Sequence, residues 1–123
     1  MKKILGLAAG LLLTAATFAQ TGVKFTDAVD GYNKTTATTF HFNLESGFTL
    51  ESINTTAAFY TSYFTVAATP GTGGTAIAIS LVEDTEMARR VISRFFISLE
   101  VQNIEVNGVA MPIFDFMDAH IML

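Results

Sequence analysis

Few side chains in this sequence could carry chemistry, and their spacing sorts them quickly. His41 alternates with apolar neighbours, so it stands on the outward face of a strand. A later short strand offers Glu105 as a carboxylate to face it, a pairing that can orient an imidazole as a base or a ligand. A solvent-facing cross-strand pair is the simpler role for the two. Near the C-terminus Met111, Met117, His120 and Met122 gather thioether and imidazole groups that copper accepts as ligands. His120 follows Met117 by three residues, which puts both on one helical face. Packing of Met117 into the core is the competing role. Arg89, Arg90 and Arg94 form a basic cluster that could hold an anion or face solvent. Glycines 71, 73 and 74 have no lysine and no following helix, so they make a turn and not a phosphate loop. There is no cysteine among the 123 residues, which excludes disulfides, thiolate metal sites and cysteine nucleophiles together.

Composition narrows the field further. Lys2 and Lys3 precede an apolar run over residues 4–13 and then small residues ending Ala19-Gln20, the layout of a secretory signal peptide spanning 1–19. The run is short for a bilayer span, and no second run of about 18 apolar residues follows it, so the mature chain is expected to have no membrane span. The address this predicts is periplasmic or secreted. Without the two leader lysines, five Lys and Arg face eleven Asp and Glu, a net charge of −6. That balance excludes a strong nucleic-acid binder. Asn33-Lys34-Thr35 and Asn54-Thr55-Thr56 match the glycosylation acceptor pattern, which short sequences also reach by chance.

The elements that must position these residues follow from periodicity. Residues 20–36 are polar and rich in Gly, Asp, Asn and Thr, and read as a flexible lead-in with at most a short strand at residues 23–25. From residue 38 onward Phe40, Phe42 and Leu44 alternate with Thr39, His41 and Asn43, a half-buried strand. Leu50, Ile53, Ala57 and Tyr60 recur at steps of three and four, a helix with Thr49 as N-cap. Two strands over residues 63–68 and 75–82 flank the Pro70–Gly74 turn. Glu83-Asp84-Thr85-Glu86 then opens a helix whose core stripe reads Met87, Ala88, Val91, Ile92, Phe95, Phe96 and Leu99. Its outer face carries the three arginines, with Glu86 four residues before Arg90. A strand over residues 103–106, the hairpin signal Asn107-Gly108 and a short helix from Pro112 complete the chain.

Strand, helix, strand, strand, helix, strand is the ferredoxin-like βαββαβ sandwich. An α+β domain over residues 37–123 is therefore expected, with a four-stranded antiparallel sheet, two helices on one face and a short C-terminal helix. Residues 40–106 in this order resemble a heavy-metal-associated (HMA) domain, the small module of copper chaperones and metal-transporting ATPases. The resemblance implies a metal site on Cys-x-x-Cys between the first strand and the first helix. Here that loop reads Glu45-Ser46-Gly47-Phe48-Thr49, and the hydroxyls of Ser46 and Thr49 cannot stand in for thiolates. The resemblance implies the family's fold, without its metal chemistry. Other ferredoxin-like functions lack their residues as well. The outward positions of the central strands hold no aromatic platform for bases, and the loop after the first strand has no arginine of the acylphosphatase kind.

The expected function is a small exported, non-catalytic binding module whose partner is a protein or a small ligand, with no cofactor. Its working surface would be the open sheet face, with Thr39, His41, Asn43 and Glu105 at its centre beside Thr65, Ala76, Ala78 and Ser80. An extracytoplasmic copper-binding protein using Met117 and His120 is the first alternative. An enzyme of unknown type is the second.

Overall fold

The structure, a computed structural model, describes residues 22–123, so the leader expected over residues 1–19 lies outside the described residues. Strand β1 spans Val23–Phe25 and β2 spans Thr39–Glu45. Helix α1, Leu50–Ala57, continues into a 3₁₀ turn at Ala58–Tyr60. Strands β3, Phe64–Gly71, and β4, Gly74–Leu81, form a hairpin. Helix α2 covers Glu86–Ser98, a second hairpin joins β5, Asn103–Val106, to β6, Val109–Pro112, and helix α3 covers Ile113–His120.

The class is α+β, and the six strands form one mixed sheet in the order β3-β4-β2-β1-β5-β6. This corrects the expected four-stranded antiparallel sheet. Two strands are added, one of them near the middle. β1 lies between β2 and β5, antiparallel to the first, with Phe25 opposite Phe42, and parallel to the second, with Phe25 opposite Val106. The short strand expected at residues 23–25 is present, and it ties the segment expected as a flexible lead-in into the sheet. The physical reason is that both apolar side chains of β1 point inward: Val23 and Phe25 are buried, and the Phe25 ring packs against Tyr32, Phe42, Phe116 and His120. A short strand with ladder bonds on both sides and two core anchors needs no apolar neighbours in sequence.

All three helices cover one face of the sheet. Phe42 meets Phe96 of α2 and Phe116 of α3, while Tyr60 and Phe95 close over Phe64. The local signals that start these helices are plain. Thr49 Oγ1 accepts from Ser52 N–H at 3.1 Å and Thr85 Oγ1 from Ala88 N–H at 3.0 Å, so each threonine caps its helix. α2 ends in a Schellman turn in which Glu100 takes a positive φ of 66°. There Glu100 N–H bonds Ile97 O, Val101 N–H bonds Phe96 O, and Val101 packs inside. Pro112 precedes α3 as its N-cap instead of filling its first turn.

The facing of α2 departs from expectation at two residues. Met87 is half exposed, and Arg89, expected on the solvent face, is fully buried. The apolar arc is wider than the sheet alone requires, because residues 33–37 and the C-terminal turn pack along the side of the helix. The β3–β4 turn depends on glycine at one point: a Cβ at Gly74 would lie 2.0 Å from Leu44 O on the neighbouring strand.

Candidate functional site: the open sheet face

Alternation puts Phe40, Phe42 and Leu44 under the helices and turns Thr39, His41 and Asn43 to the opposite face. Ladder register then fixes their neighbours. His41 lies beside Ala78, which in turn lies beside Ala67; Asn43 lies beside Ala76, followed by Thr69; Thr39 lies beside Ser80, followed by Thr65. The Thr39 and Ser80 hydroxyls are 3.2 Å apart. No element among the described residues covers this face. At its centre is a shallow depression of about 550 Å³, lined by His41, Asp27, Thr26, Asn43 and the small side chains of β3 and β4. Alanines form much of its floor, so backbone and ligand can come close together.

His41 is not paired with Glu105. Lys24 of β1 stands between β2 and β5, opposite Asn43 on one side and Glu105 on the other, so a whole strand separates the two expected partners. The carboxylate that meets the imidazole is Asp27, just past the end of β1. Its two oxygens lie 3.0 and 3.1 Å from His41 Nδ1, and Oδ2 also accepts from the His41 backbone N–H at 2.8 Å. Thr26 locks the same junction, its N–H and its hydroxyl both bonding to His41 O. With Nδ1 held by Asp27, Nε2 has no hydrogen-bond partner among the described residues. A neutral imidazole oriented this way offers a single acceptor at Nε2. Such a pair can hold a partner's donor in a defined direction.

The other sequence candidates separate. Met117 is buried in the core, and the His120 ring packs against Phe25 and Phe116. Burial, and secondarily the Lys34 charge, lower the imidazole pKa below its ordinary value of 6.5. One helix thus carries both, Met117 within the core and His120 against two aromatic rings. Among the described residues no group of three or more His, Cys, Asp or Glu side chains is placed to hold a metal ion. In the loop after β2, Thr49 caps α1.

The arginine cluster also divides. Arg90 is exposed and pairs with Glu86 as expected. Arg89 instead binds inward through every N–H it has. Nε and Nη2 hold the Asp84 carboxylate at 2.7 and 3.1 Å. Nη1 donates to Lys34 O and Ile121 O, and Nη2 also donates to Ala37 O. The Phe40 ring lies beneath the guanidinium at 5.5 Å. This bonding holds the Asp84 carboxyl below its ordinary value of 3.8. Beside it, Tyr32 donates to His120 O and Lys34 Nζ to Asp118 O. Three side chains therefore satisfy the last carbonyls around α3, which a helix end otherwise leaves to water.

The sequence does not single out Asp27 or Tyr32, and it places Arg89 on the wrong face of its helix. For Arg89 a signal existed: it lies three residues before Ile92 and seven before Phe96, on the edge of the apolar stripe. For Asp27 and Tyr32 nothing local distinguishes them from other polar loop residues. In comparisons with protein-family models, with curated proteins and with solved structures, nothing matches this chain.

Proposed function

We propose that this chain is an exported, non-catalytic binding module that holds a protein or small-ligand partner against its open sheet face. The observation that carries the proposal is the shallow depression around the His41–Asp27 pair. It combines one oriented polar contact with a floor of alanines, on a face that no described element covers. Large interfaces need close approach and a few directed bonds, and this face offers both. The export half rests on the charged and apolar leader pattern of residues 1–19. No helix among the described residues is long and apolar enough to cross a membrane.

We further read the scaffold as a ferredoxin-like core of the heavy-metal-associated kind with an inserted strand. Leaving out β1 and the hairpin strand β6, the remaining order is β3-β4-β2-β5, the order a split βαβ core requires. The loop that would carry metal in that family is used here to start α1, which supports binding without metal.

The test is capture. Mature protein immobilised through its C-terminus should retain a specific partner from an extracytoplasmic extract. Ala76→Arg, which fills the depression from an exposed position, should abolish retention without lowering the melting temperature. Retention that survives Ala76→Arg but fails with Arg90→Ala would move the working surface to the helix side and refute the proposal.

A further inference from the structure

Residues 52–82 contain no Asp, Glu, Lys, Arg or His. This charge-free run includes the whole of β3 and β4, and β3 is an edge of the sheet. The direction of its backbone groups follows from the hairpin. Antiparallel ladder bonds alternate along a strand, and two loop bonds fix the phase: Val82 N–H donates to Tyr63 O at 3.0 Å, and Leu81 N–H donates to Thr38 O, on the β2 side, at 2.9 Å. Thr65, Ala67 and Thr69 therefore bond to β4, while Phe64, Val66, Ala68 and Pro70 turn their backbone groups out of the sheet. Among the described residues no other backbone group bonds to Phe64, Val66 or Ala68.

Exposed edges invite pairing, and proteins usually blunt them with charge, proline or short length. The opposite edge, β6, has four residues and ends at Pro112. β3 has eight, no charge, and a proline only near its end. In a chain with a net charge of −6 without its leader lysines, this is a long edge on which two copies meet without opposing like charges.

We propose that β3 is a self-pairing edge: two copies join through antiparallel β3–β3 contact about a two-fold axis at Val66, making one continuous sheet from two. The register is set by the outward groups. Centring on Val66 pairs it with its own copy and Phe64 with Ala68 of the other, so every outward N–H and C=O of these three residues finds a partner. A centre displaced toward Pro70 leaves carbonyls facing a residue that has no N–H. Side chains fit the same centre, large Phe64 opposite small Ala68 under the helices and exposed Thr65 opposite exposed Ala67 on the open face. Because Ala67 and Thr69 also line the depression, the dimer carries two depressions flanking the junction.

Sedimentation equilibrium of the mature protein over a concentration series tests this. Twice the chain mass is expected at high concentration. Thr65→Glu/Ala67→Glu places like charges directly opposite across the junction and should halve the mass. Thr65→Lys/Ala67→Lys should do the same, whereas Thr65→Lys/Ala67→Glu, which sets opposite charges face to face, should restore the dimer. All substitutions are at exposed positions, and circular dichroism checks that each variant is folded. A wild-type chain that stays monomeric throughout, or a dimer indifferent to these charges, overturns the proposal.

Discussion

Five N–H groups leave the Arg89 guanidinium, and each ends on an oxygen: two on Asp84, and one each on the carbonyls of Lys34, Ala37 and Ile121. A buried cation is tolerated only with such complete pairing. Removing it strands three carbonyls and a carboxylate, so Arg89→Met should cost about 3–5 kcal/mol in urea denaturation. Arg89→Lys should recover only part of that loss, because an ammonium has three donors and no planar fork. Equal stability of the Lys variant and the wild type would contradict this reading. Tyr32 gives a second signature at the same junction. Its burial, and secondarily the Asp27 charge, push the phenol from 10.0 up to about 12, with Arg89 acting the other way. The folded state holds that proton more tightly, so the stability it supports is complete below pH 10 and is lost as pH rises from 10 toward 12. Melting temperature should fall across that window. Tyr32→Phe, which loses the donor to His120 O, should be less stable at neutral pH by about 1 kcal/mol and should show a shallower alkaline fall. A variant whose alkaline fall is as steep as the wild type's would remove Tyr32 as its cause.

At the scale of elements, α2 separates a buried face from a solvated one. Phe95 is fully buried between Tyr60, Phe64 and Phe96, so Phe95→Ala should leave a cavity and cost about 3–5 kcal/mol. Arg90→Ala loses only the exposed pair with Glu86 and should cost at most about 0.5 kcal/mol. If both variants melt alike, the helix is turned differently from this description. Elements with a local cause were legible in the sequence. The capping threonines before α1 and α2, the strict alternation of β2 and β4, and Asn107-Gly108 each declare themselves within a few residues. What sequence did not reveal is long-range. The short strand at residues 23–25 was legible, but its place between β2 and β5 was not, because only long-range partners put it there. His41 was legible as an outward-facing group, but its carboxylate was not, because Asp27 reaches it through the pairing of β1 with β2. Arg89 was assigned to the surface because periodicity registers the sheet that a helix packs against and not the loop and C-terminal turn that close over its side.

At the scale of the molecule, one sheet has two unlike faces. Helices α1, α2 and α3 and seven buried phenylalanines serve a single core, while Thr, Ala, Asn and Ser with the His41–Asp27 pair form the other side. Under the proposed function, the second side is the one a partner meets. A photo-crosslinking residue placed at Ala76, on the floor of the depression, and separately at exposed Arg94 of α2, tests this in cells that express the full chain. A discrete crosslinked adduct is expected from position 76, reduced by Ala67→Arg in the same chain, and none from position 94. An adduct from position 94 alone would contradict it.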